Sequence, residues 1–322
     1  MNDEKVLKPI AKKSVLRGWG LLFLIASYSF LAYKLLIFNQ YPDLLAHWKQ
    51  MPGFRFWWLA AVVLLIPFNW FFESIKWKMM TVHIQKISLL FSIKAVLAGI
   101  STGFFTPNRV GELIGRVMFL NSKNHKAGVT LSLLNSLTQN LIMTLCGIPA
   151  CILFFASTST KIQANYSLYL SLLALCLVGF GLLYFLLPHL SKLFKQSSYS
   201  LKIKEFTDCL SDFREIELVH IMLVSLIRYA VFCVQFFLML QFFGIELSYW
   251  QALVAIPTNY LFVTFTPSLA FSEATVRSSF AVLTIGAFSG LTVNIALAGM
   301  CIWMLNFVVP MLAGSVIMVR KN

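Results

Sequence analysis

The stretch GFFTPNRVGELIGRVMFL, residues 103–120, stands where an apolar run that begins near residue 87 would otherwise continue as a membrane helix. It places Pro107, Asn108, Arg109, Gly111, Glu112 and Arg116 within ten positions. Proline removes an amide donor and clashes with the preceding turn, so a helix breaks there. In hydrocarbon a broken backbone is tolerated only where protein or a polar cavity covers it. The stretch therefore predicts a helix that dips into the membrane, breaks and turns back.

The surrounding composition makes the membrane reading necessary. The chain has 322 residues, of which 59% are hydrophobic and 12% charged, with a mean hydropathy of +0.79. Several apolar stretches exceed the roughly 18 residues needed to cross a bilayer core. The sequence predicts an all-α integral membrane protein forming one polytopic domain over 1–322. Full spans are expected at 18–38, 54–74, 127–156, 166–187, 216–243 and 290–319. Regions 87–120 and 250–287 are expected as two Pro-broken re-entrant hairpins; if they cross instead, the count rises to eight spans. The run after Lys5, Lys8, Lys12, Lys13 and Arg17 is too long for a signal-peptide core, so it reads as the first span.

The formal charge of +14 does not point to nucleic acid, because the basic residues fall into short loops. With the broken regions treated as hairpins, nineteen Lys and Arg, Lys76 among them, fall on one side and three on the other. That asymmetry predicts six spans with both termini cytoplasmic. The segment 202–216 carries Ile203, Phe206, Leu210 and Phe213 at helical spacing and reads as a helix on the membrane surface or an elbow between spans. The six cysteines form no CxxC and the five histidines no HExxH, so neither a metal nor another cofactor is expected, nor an enzyme.

The break occurs twice. FFTPNRVGELIGRVMF and TFTPSLAFSEATVRSSF both read Phe-Thr-Pro, then Glu five or six residues on, then Arg four after that. Pro107, Glu112 and Arg116 thus match Pro267, Glu273 and Arg277, and the order of spans around them repeats. Halves 1–160 and 161–322 read as two inverted-topology repeats, the pattern that marks the central site of many transporters.

Four mid-membrane charges would cost on the order of 10 kcal/mol if unpaired. Glu four residues before Arg is the favourable order on a helix, so each pair can neutralise itself. Arg109 has no acidic neighbour except Glu112, which Arg116 already claims. The excess positive charge, with the free amides of a helix start, predicts an anion site at the break. Arg228, midway along its span, is expected to pair with Glu73, Glu112 or Glu273. Asn135, Gln139, Asn140 and Gln235 are expected to make interhelical hydrogen bonds. Phe and Leu walls around a cationic patch suit an amphiphile, a lipid headgroup with its tails in the bilayer.

The run TPNRVGELIGRVMFL resembles the first signature of the lysylphosphatidylglycerol synthase transmembrane family, the flippase-like domain family. The resemblance falls on Pro107, Arg109, Gly111 and Glu112, with Arg116 one position later than the usual Arg, and it covers essentially the whole chain. The family's second signature is glycine-rich; PSLAFSEA keeps Pro267 and Glu273 without the glycines. Relatives that join this membrane region to a soluble aminoacyl-transferase domain imply a phospholipid or lipid-linked substrate, moved by alternating access. No transferase follows the last span here, so lysyl transfer is not expected. The alternatives are a secondary transporter of a small organic anion, or a scaffold for a lipid-modifying partner enzyme. The sequence leaves the lipid, the coupling and the oligomeric state open.

Overall fold

The computed structural model describes residues 52–106, 109–158, 166–196, 208–267 and 270–320, with Ile25 and Ser29 as isolated positions before them. The span expected at 18–38 lies outside the described residues, as do Pro107 and Asn108. Among the described residues the chain is helix and turn without a strand. Helix α1 is Phe56–Thr81, α2 Leu89–Phe104, α3 Gly111–Val117, α4 His125–Thr158 and α5 Tyr166–Gln196. Then follow α6 Glu215–Phe242, α7 Tyr249–Phe265, α8 Ala270–Ile285, α9 Thr292–Trp303 and α10 Val309–Arg320. A π-helical stretch, Met304–Val308, joins α9 to α10.

Four helical stretches among the described residues are long and apolar enough to cross a membrane: Gly53–Thr81, Ser122–Thr158, Glu215–Phe242 and Thr292–Arg320. Helix α5 runs 31 residues and covers the span expected at 166–187. Of the surface segment expected at 202–216, the described part is a single 3-10 turn, Asp208–Leu210, and the lead into α6. Helix α1 departs from expectation. It continues past residue 74 to Thr81, carrying Lys76 inside the fold rather than in a loop. Glu73 lies 3.1 Å from Lys76, one turn away, and that pairing lets the helix carry both charges inward.

Both Pro-broken regions double back. In the first, small residues let α3 lie against α2: a β-carbon on Gly115 would sit 2.7 Å from the α-carbon of Gly99. The hairpin is closed by hydroxyls. Thr102 Oγ1 donates to the Gly111 carbonyl at 2.7 Å, and the Gly111 amide donates to Thr106 Oγ1 at 2.7 Å. In the second, α8 returns along α7, with the Phe262 and Phe280 rings 5.6 Å apart. Each hairpin starts at a serine N-cap, whose hydroxyl accepts an amide three residues on and satisfies one orphan donor. These are Ser88 with Phe91 and Ser248 with Gln251, each nineteen residues before its hairpin's proline.

Each hairpin's first arm leans on the long helix that closes the other half of the chain. Gly147 of α4 meets the Pro257 carbonyl and the Leu261 side chain of α7. Gly314 of α10 meets the Leu97 carbonyl and the Ser101 side chain of α2. Leu97 and Ser101 stand ten and six residues before Pro107; Pro257 and Leu261 stand ten and six before Pro267. The two crossings therefore use the same register. Between them, Phe104, Ala274, Trp303, Val308 and Met311 form a small apolar core where the hairpin tips approach.

Candidate anion-binding cavity

Glu73 is the hub of the charged interior. It sits 2% exposed on the inner face of α1. Its carboxylate lies 2.5 Å from Arg116 of α3, 3.1 Å from Lys76 and 3.0 Å from Arg228 of α6. Asn135 of α4 donates a further hydrogen bond at 2.7 Å. Arg116, itself 2% exposed, also bonds Glu112 and faces the Trp77 ring, 5.6 Å from its centroid. Buried charges are stable only when paired and hydrogen-bonded, and this cluster draws its partners from four helices.

A second cluster ties the hairpin tips together. Arg109 donates to both carboxylate oxygens of Glu273, at 2.9 and 3.2 Å. Arg277 reaches the same carboxylate at 2.9 Å. Both guanidinium groups lie over the Phe307 ring, 3.7 Å and 4.4 Å from its centroid, a placement the ring's negative face favours. Arg109 has φ 60°, a left-handed backbone that non-glycine residues adopt at a cost of roughly 1–2 kcal/mol. That turn carries its side chain across to the other hairpin.

The two clusters face one cavity of about 460 Å³. Glu73, Arg109, Glu112, Arg228, Glu273 and Arg277 all line it, with Pro267 at the second tip. Polar walls come from Asn69, Asn135, Gln139, Asn140, Thr106, Thr264 and Asn306; Phe104, Phe232, Phe265 and Phe307 supply apolar ones. Gln139 accepts from Lys76 at 3.3 Å and from Arg228 at 3.1 Å. Asn69 donates to Asn306 within the wall at 3.2 Å and to Gln235 behind it at 2.6 Å. The π-helical stretch supplies both Asn306 and Phe307, a common use of such a bulge at functional sites.

Several expectations meet the structure here. Glu112 with Arg116 and Glu273 with Arg277 form the expected i,i+4 pairs. Arg228 takes Glu73 among its three candidate partners. Arg109 does find a carboxylate, but across the hairpins, in a residue 164 positions away that sequence neighbours could not reveal. Arg116 and Gly111 sit behind the cavity lining, Arg116 as a strut between two carboxylates and Gly111 in the hairpin's closure. The helix-start contribution is smaller than expected. Helix α3 has seven residues, its first amide is used by Thr106, and guanidinium groups supply the positive charge instead.

Sequence reasoning assigned no site role to Lys76, Asn69, Asn306 or Phe307, and treated Glu73 only as one possible partner. The available signal was Glu73 and Lys76 one helical turn apart beside Asn69 in an otherwise apolar run. Among the described residues no three His, Cys, Asp or Glu side chains gather as metal ligands.

Long apolar helices and two tip-to-tip hairpins around a charged cavity define the class: a multi-pass, membrane-embedded helical protein. The chain matches the family described as the lysylphosphatidylglycerol synthase TM region over residues 18–314, and it belongs to that family. No curated protein and no solved structure matches it. Family membership places the chain among membrane proteins related to lipid handling.

Proposed function

We propose that the protein is a translocase for a lipid or lipid-linked anionic headgroup, and not an enzyme. The observation that carries this reading is the single cavity into which both hairpins project arginine and glutamate, between phenylalanine walls. A headgroup would exchange bulk water for guanidinium donors there, while its tails stay against the apolar surface. The matched registers of the two hairpins support a pair of inverted repeats, with re-entrant hairpins, six spans and cytoplasmic termini in a bacterial inner membrane. Transport then follows from one repeat rocking against the other, with the Arg109–Glu273 contact breaking and reforming as the cavity changes sides.

The test is a leaflet-resolved assay in proteoliposomes, comparing fluorescent phospholipids with a labelled soluble organic anion. The wild type should move lipid, and Arg109→Ala should slow it at least about tenfold, the loss expected for a charge-assisted contact. Movement of the soluble anion alone would favour a small-anion transporter. The dense internal pairing around Glu73 favours one rival, a scaffold for a lipid-modifying enzyme. Wild-type protein that moves neither substrate would favour that scaffold.

A further inference from the structure

The charge inventory of the cavity lining and of the ion pairs directly behind it discriminates among anions. Lys76, Arg109, Arg116, Arg228 and Arg277 face three carboxylates, Glu73, Glu112 and Glu273, which leaves a formal excess of two positive charges. The excess is divided by place. One unit stays with Lys76, Arg116 and Arg228 around Glu73 and Glu112; the other stays with Arg109 and Arg277 around Glu273. Three carboxylates and three guanidinium groups line the cavity, Glu73, Glu112 and Glu273 with Arg109, Arg228 and Arg277, and the excess comes from Lys76 and Arg116, paired to Glu73 behind its wall. Uncompensated charge in apolar surroundings is costly, so a matching anion is favoured by charge alone.

Unused donors point the same way. Gln139 is 7% exposed; its side-chain oxygen serves Lys76 and Arg228, while its Nε2 has no hydrogen-bond partner. Nε of Arg228 is also without one, and both residues line the cavity. Buried donors without acceptors are rare in folded proteins and carry a desolvation penalty. Unpartnered acceptors, Asn69 Oδ1 and Asn135 Oδ1, also belong to lining residues, but the two donors sit beside the excess positive charge, where phosphoryl oxygens are suitable acceptors.

Resting on the translocase reading for its lipid part, we infer that the cavity takes a headgroup bearing two negative charges, a phosphomonoester or a diphosphate esterified at both ends, with phosphoryl oxygens on Arg228 and Gln139 and the second charge answered by Arg109 and Arg277. A phosphodiester headgroup with one negative charge leaves one cation unmatched. A zwitterionic headgroup leaves both.

The experiment is calorimetric binding to the full chain in neutral detergent at pH 8, where a phosphomonoester has lost its second proton (second pKa about 6). The probes are dihexanoyl phosphatidic acid, farnesyl phosphate, dihexanoyl phosphatidylglycerol, dihexanoyl phosphatidylcholine and inorganic phosphate. Phosphatidic acid and farnesyl phosphate should bind at least about tenfold more tightly than phosphatidylglycerol, the worth of one further charge-assisted contact. Arg228→Gln should erase most of that ratio. Because Arg228 also supports Glu73, Asn140→Asp provides the second arm. It adds one negative charge to the cavity wall, breaks none of the ion pairs above, and should cut the ratio several-fold. Equal or tighter binding of phosphatidylglycerol, or a ratio unchanged in Asn140→Asp, overturns the inference. If lipid is moved but the singly charged headgroup is preferred, the translocase reading stands and this inference falls. If inorganic phosphate binds while every lipid is ignored, the two-charge inference stands and the lipid reading falls.

Discussion

Replacing Glu73 by Gln removes one negative charge and almost no volume, so its effect isolates electrostatics. In the wild type the carboxylate lies within 3.1 Å of Lys76, Arg116 and Arg228. Arg116 keeps Glu112 when Glu73 is neutralised. Lys76, fully buried, and Arg228 have no other carboxylate within ion-pair distance among the described residues. Removing one partner from a buried ion pair costs about 3–5 kcal/mol. That is a large share of the roughly 5–15 kcal/mol that holds a typical domain folded. Heating the purified protein in detergent and measuring the surviving monodisperse fraction by size-exclusion chromatography should show a midpoint lowered by on the order of 5–10 °C. The double variant Glu73→Gln/Lys76→Met removes both ends of the most enclosed pair, and it should recover at least half of the loss. Glu217→Gln is the control. Its side-chain partners Arg214 and His83 are 76% and 26% exposed, and the Gln oxygen can still accept the Arg214 amide, so the change should cost less than about 1 kcal/mol. A Glu73→Gln midpoint within a degree of wild type, or a double variant less stable than the single, would refute the idea that Glu73 is the counter-charge organising this interior.

Two further expectations concern packing and accessibility. At Gly147 a new β-carbon would lie 2.8 Å from that of Leu261, and at Gly314 it would strike the Leu97 carbonyl. Gly147→Val and Gly314→Val should therefore each lower the same thermal midpoint by an amount equivalent to about 1–3 kcal/mol, and an unaffected midpoint would deny the matched crossings. Cys209, in the turn before α6, is 5% exposed, and burial pushes its thiol up to about 12. In a chain with the other five cysteines replaced by Ala, maleimide at pH 8 should label it at least about a hundredfold more slowly than after denaturation, because the thiolate is the reactive form. Labelling at the denatured rate would place that turn outside the packed structure.

Sequence by itself determined what local covalent chemistry and hydropathy control. Apolar length marked the long helices, because a chain crossing hydrocarbon must satisfy its own backbone within each segment. Thr-Pro marked both breaks, because proline cannot complete a helical ladder. The i,i+4 spacing marked Glu112 with Arg116 and Glu273 with Arg277, because helical geometry sets those neighbours without help from the rest of the fold. Only the tertiary structure decided which hairpin answers which. Arg109 meets Glu273 because the two tips converge over Phe307, and nothing local to residue 109 encodes a partner 164 positions on. It also decided the role of Lys76. A lysine just past an apolar run looks like a loop charge, yet the carboxylate of Glu73, with Gln139 from α4, draws it inside. Local rules fix where helices form and where they stop. The pairing of buried charges depends on distances between helices, and those exist only once the helices have packed.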